Sequence, residues 1–121
     1  MAIKSVTSLT RTGTGDWIAQ RLSAIILALY SVFIVGYLIG NNPSFEQWTA
    51  LFDCGWMKLA TLAAIAAFGA HAWVGLWTVF SDYVNERQMG KSAALFRGLL
   101  QVGSALVILG TIGWTVLILW G

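Results

Sequence analysis

His71 and Arg21 carry chemistry that their surroundings do not favour, because each interrupts a long apolar run. An imidazole can ligate a metal or carry a proton. A guanidinium is shaped to grip a carboxylate or phosphate with two hydrogen bonds. His71 is the only histidine of the 121 residues. Buried without a partner it would be costly, so a backbone carbonyl, a polar group on another helix or a metal must meet it. On a helical wheel, Ala60, Ala64, Ala67, Gly75 and Thr78 fall within about 40° of His71. One face is thereby stripped of bulk, while Trp73 and Trp77 turn away. Two readings stand open. The stripe serves close helix packing with His71 hydrogen-bonded across it, or it is a flat face for the edge of a haem, with His71 on the iron. In the second case Met57 and Met89 lie too far along the chain to be the other axial ligand. That ligand would come from another chain or from a second copy.

Other residues are weighed beside these two. Arg21 reads as an interfacial anchor or as the counter-ion of an anionic group such as a haem propionate. Asp16, just before the first apolar run, reads as an N-cap. Asp82 stands 11 residues beyond His71, about 20° off its face if the helix continues that far. Tyr83 reads first as an interfacial aromatic. The pairs Gly36/Gly40 and Gly103/Gly110 are helix-packing features. Met89-Gly90-Lys91-Ser92 has the end of a phosphate loop without its upstream glycine or strand, and that reading is discarded. Cys54 is the one cysteine, which excludes an internal disulfide and any paired-cysteine metal or redox site.

The elements that hold these residues follow from composition. Hydrophobic residues make up 58% of the chain and charged ones 10%, against roughly 25% charged in a soluble domain. Mean hydropathy is +0.75. A net charge of +2 gives no basic patch for nucleic acid. These values predict an all-α integral membrane protein of one domain. Three runs are long enough to span about 30 Å of hydrocarbon: about 17–40, 57–80 and 98–120. The first run is too long for a signal-peptide core and has no cleavage site after it, so it is expected to be retained. No Asp or Glu lies within a span, which argues against a proton- or ion-coupled transporter. Asn41-Asn42-Pro43-Ser44 ends the first helix, and Ser44 is placed to cap a short interfacial helix over about 45–52. Lys4, Arg11, Arg21, Arg87, Lys91 and Arg97 lie on one side of the spans and only Lys58 on the other. The positive-inside rule then sets the N-terminus inside and the C-terminus outside.

The run His71-Ala72-Trp73-Val74-Gly75-Leu76-Trp77, followed by Ser81-Asp82-Tyr83-Val84, resembles the hydrophobic membrane-anchor subunits of bacterial succinate dehydrogenase. Gly15-Asp16-Trp17 and Arg21-Leu22-Ser23-Ala24-Ile25 extend the resemblance, which covers roughly residues 13–121. It implies a multi-pass protein of the bacterial inner membrane, paired with a second three-helix cytochrome b anchor. The two anchors hold one b-type haem and carry the iron–sulfur and flavoprotein subunits. Electrons from succinate then reach ubiquinone, and the chain is part of the enzyme without being catalytic alone. By the same resemblance His71 is an axial ligand of the haem iron, its partner histidine lying on the other anchor. Arg21 meets a haem propionate, Tyr83 hydrogen-bonds a quinone carbonyl, and Asp82 is its acidic neighbour. Several members carry a histidine where this chain has Gly15, which removes one propionate contact. A fumarate reductase anchor and a haem-free structural anchor are the competing functions.

Overall fold

A computed structural model of the chain describes residues 8–121; Lys4, counted above, lies outside them. Helix α1 spans Gly13–Asn41, α2 Phe45–Asp53, α3 Gly55–Tyr83, α4 Glu86–Met89 and α5 Ala93–Trp120, with a 3₁₀ turn at Gly90–Ser92. No strand occurs among the described residues. Helices α1 and α3, and the stretch Arg87–Trp120 containing α5, are each long and apolar enough to cross a membrane.

Each main helix is longer than the apolar run that signalled it. Helix α1 starts at Gly13 because Thr12 caps it, its Oγ1 accepting from Gly15 N at 3.0 Å. Asp16 is therefore not the cap. It sits in the first turn, 8% exposed, and its Oδ1 accepts from Thr10 N at 2.9 Å and Thr10 Oγ1 at 2.6 Å. Arg11, in the left-handed region at φ 62°, turns the chain back so that Thr10 lies over Gly15.

At its other end α1 stops on Asn42, also left-handed at φ 41°, whose N–H donates to Leu38 O at 3.1 Å. Ser44 then caps α2 as its sequence suggests. Ser44 Oγ accepts from Gln47 N at 3.2 Å, and Gln47 Oε1 accepts from Ser44 N at 2.9 Å, a reciprocal capping box. Helix α2 is tied back to α1 by rings: Trp48 lies 6.2 Å from Tyr37 and 4.9 Å from Phe52 between centroids.

Helix α3 is the middle of the molecule, with α1 packed on one side and α5 on the other. Both neighbours run antiparallel to it. Ser23 meets His71 while Tyr30 meets Thr61. On the α5 side Ile108 approaches Gly69, and Lys58 Nζ stands 5.4 Å over the Trp120 ring. A β-carbon on Gly69 would lie 3.1 Å from Ile108 Cγ2, so the glycine sets how closely α5 approaches. Among the described residues, large apolar side chains such as Leu29, Val32, Ile39, Leu106, Trp114 and Ile118 are exposed, as lipid or a partner surface requires. The pairs Gly36/Gly40 and Gly103/Gly110 have open space around them, so neither packs helices within this chain.

One end of the bundle gathers the start of α1, the end of α3 and the start of α5; α2 closes the other. The stretch of about 81–97 left between the second and third apolar runs is only in part a joint. Helix α3 runs through Asp82 and Tyr83, and α5 already includes Arg97.

Candidate functional site

The site is built where α1 crosses α3. Ser23 is 4% exposed, and its Oγ lies 3.2 Å from His71 Nδ1 and 3.0 Å from Gln20 O. This is the only hydrogen bond of His71 among the described residues, so one ring nitrogen is engaged and Nε2 is not. One turn earlier on α1, Gln20 lies against Gly75 of α3, its Nε2 3.6 Å from where a β-carbon on Gly75 would stand. Gln20 Oε1 is buried and has no hydrogen-bond partner among the described residues. A third polar contact closes the interface toward α2, where Tyr30 Oη lies 2.8 Å from Thr61 Oγ1.

These contacts change the meaning of the small-residue stripe. Ala64 and Ala67 are buried within the chain, and Gly75 receives Gln20. Only Ala60 and Thr78 of the five residues are exposed. The middle of the stripe therefore serves the packing of the protein itself, and no flat face stays open along all of it. His71 is half-buried between the two uses.

The other sequence-derived residues stand apart from the imidazole. Asp82 and Tyr83 form the last turn of α3 and are both exposed, Tyr83 by 62%. Because α3 is unbroken, Tyr83 is 12 residues, about 18 Å, along the helix from His71. Arg21 is exposed on α1 with its guanidinium 5.1 Å over the Trp17 ring, a cation–π contact. It is two residues from Ser23, about 200° around α1, so the structure does not bring Arg21 and His71 together. Cys54 is exposed in the joint between α2 and α3.

Chemically, the arrangement offers one nitrogen ligand at depth and exposed phenol and carboxylate groups at a helix end. No group of three or more His, Cys, Asp or Glu that could hold a metal ion occurs among the described residues. A lone imidazole suits one bond to a centre shared with another chain. Ser23 and Gln20 were missed by the reading of the sequence. Their signal was a serine and a glutamine in the first half of an apolar helix, where each needs a partner.

The family model of the succinate dehydrogenase/fumarate reductase transmembrane subunit matches residues 3–112. A succinate dehydrogenase hydrophobic membrane anchor subunit of Coxiella burnetii is 36% identical over 112 residues, 92% of this chain and 91% of that protein. Proteins of the same description from Rickettsia felis and Rickettsia conorii are similar over shorter stretches. The first is 29% identical over 77 residues, 61% of this chain and 62% of the relative. The second is 26% identical over 81 residues, 65% of this chain and 64% of the relative.

Proposed function

The chain belongs to the succinate dehydrogenase/fumarate reductase transmembrane-subunit family, and we propose that it is the hydrophobic membrane anchor of a bacterial succinate:ubiquinone oxidoreductase. In this role it supplies one axial ligand to a b-type haem and part of a quinone site. Its partners are a second, cytochrome b anchor with the other axial histidine, an iron–sulfur subunit and a flavoprotein subunit. The orientation is N-terminus in and C-terminus out, which sets Asp82, Tyr83, Arg87, Lys91 and Arg97 on the cytoplasmic side, where peripheral subunits dock.

The observation that carries this reading is a single unbroken helix with an engaged imidazole in mid-span and a phenol at its end. His71 fits an axial ligand, since a ligating histidine usually holds its second ring nitrogen in a hydrogen bond and bonds the metal through the first. The haem, when bound, supplies reversible one-electron storage. His71 would hold the iron from this side. Arg21, now over the Trp17 ring, would be the counter-ion of a haem propionate. Tyr83 donates its hydroxyl proton to a quinone carbonyl oxygen, a bond that strengthens as that oxygen gains negative charge. Asp82 beside it holds or passes a proton for a reduction that takes up two electrons and two protons.

The test is the assembled complex carrying His71→Ala. The b-type spectrum is expected to be lost or altered, seen in the pyridine haemochrome and in the low-spin EPR signal. An unchanged haem signal would leave His71 a helix-packing residue and the chain an anchor that does not ligate the haem.

A further inference from the structure

The hydrogen bonds around Ser23 fix more than a contact. A backbone carbonyl only accepts, so the 3.0 Å approach of Ser23 Oγ to Gln20 O uses the single hydroxyl proton of Ser23. The same oxygen lies 3.2 Å from His71 Nδ1 and has only lone pairs left to offer. With the hydroxyl proton on Gln20 O, the proton of that second bond comes from the ring: Nδ1–H donates to Oγ. A neutral imidazole carries one proton, so Nε2 holds the free lone pair. Ser23 is 4% exposed and lies on a continuous helix, which leaves the hydroxyl little freedom to turn away.

We propose that Ser23 is the positioning residue for the haem ligand. Its oxygen, oriented by the carbonyl of Gln20, holds His71 as the Nδ1–H tautomer, with Nε2 presented to the iron. The proposal rests on the haem reading above and adds a residue to it. Two consequences follow from the chemistry. The tautomer is selected before any iron arrives, so ligation needs no proton shift on the ring. An acceptor on Nδ1–H also raises the basicity of the ligand, which favours the oxidised iron and lowers the potential of the haem. Ser23 touches neither iron nor quinone, and it acts through His71 alone.

The experiment compares His71→Ala, Ser23→Ala and Ser23→Thr in the assembled complex, reading haem content, low-spin EPR g-values and the midpoint potential. Ser23→Ala is expected to keep the haem, raise its potential and shift its g-values, and Ser23→Thr to restore both. Loss of haem in Ser23→Ala that Ser23→Thr reverses also supports the proposal. If His71→Ala loses the haem while Ser23→Ala matches wild type in potential and EPR, the role of Ser23 is overturned and the haem reading stands. Loss of haem in both serine variants makes Ser23 a packing residue and likewise overturns it. An unchanged haem signal in His71→Ala ends both. A second measurement needs no haem. The full chain labelled with ¹⁵N-histidine has one imidazole, and its ring ¹⁵N shifts in detergent should report a protonated Nδ1. A protonated Nε2 in the wild-type chain overturns the proposal.

Discussion

Tyr30 and Thr61 join α1 to α3 by a hydrogen bond of 2.8 Å between their hydroxyls. Thr61 Oγ1 also lies 2.8 Å from Met57 O, which only accepts; with the threonine proton on that carbonyl, Tyr30 is the donor of the pair. This is the same construction as at Ser23, two turns along α1. In both, a hydroxyl that back-bonds to its own helix serves as an acceptor for the neighbouring one.

That direction makes the two halves of the pair unequal. Tyr30→Phe removes a donor and leaves Thr61 still bonded to Met57 O. The expected loss is about 0.6 kcal/mol, the average for side-chain hydrogen bonds between membrane helices. Thr61→Val leaves the Tyr30 hydroxyl part-buried with no acceptor, and about 1–3 kcal/mol is expected. Reversible unfolding of the complex in mixed micelles measures both, and equal costs would contradict the assigned direction.

The resemblance sets a histidine at position 15, and the structure gives a local reason for Gly15 here. A β-carbon on Gly15 would collide with Thr10 Oγ1 and stand 2.5 Å from Thr12 Oγ1. Gly15→His should therefore push Thr10 off Asp16, removing two hydrogen bonds from a buried carboxylate. The turn at Arg11 would loosen with it. Trypsin cleavage after Arg11 in the detergent-solubilised complex is expected to be severalfold faster in Gly15→His than in wild type. Thr10→Ala, which deletes one of the two bonds, should fall between. Wild-type cleavage rates in both variants would show that the Thr10 turn is held by something else.

The three spans were legible because hydrocarbon imposes a length and a composition that survive any packing arrangement. Ser44 was legible for a related reason: a cap is a local motif, complete within four residues. The helix ends were not, since hydropathy marks where lipid lies and not where backbone hydrogen bonds stop. Helix α1 thus reaches back to Gly13 through the polar turn holding Asp16, and α3 reaches forward through Asp82 and Tyr83. The Ser23–His71 bond was illegible for a deeper reason. It depends on the register of α1 against α3, a relation between two helices that neither wheel contains. The same missing register left Ala64 and Ala67 open to both readings, close packing or haem floor, when they are buried within the chain.

Tyr83 brings the topology and the quinone site to one test. The residue is 62% exposed at the last turn of α3, beside Asp82 and just before the basic joint. As an anchor, the residue needs only its ring at the interface. As a donor to a quinone carbonyl, it needs the hydroxyl. Tyr83→Phe keeps the ring and removes the oxygen, and the exposed site carries no packing that depends on it. Assembly, haem content and succinate oxidation by an artificial acceptor should match wild type. Quinone reduction should slow by roughly 10–100-fold, the loss of about 1.5–3 kcal/mol for a hydrogen bond to a charge-bearing oxygen. The cytoplasmic placement is checked separately, because a reporter active only in the cytoplasm should stay silent at the C-terminus. Wild-type quinone kinetics in Tyr83→Phe would leave Tyr83 an interfacial ring. A bright C-terminal reporter would move the end of α3 to the side away from the iron–sulfur subunit and remove the quinone site with it.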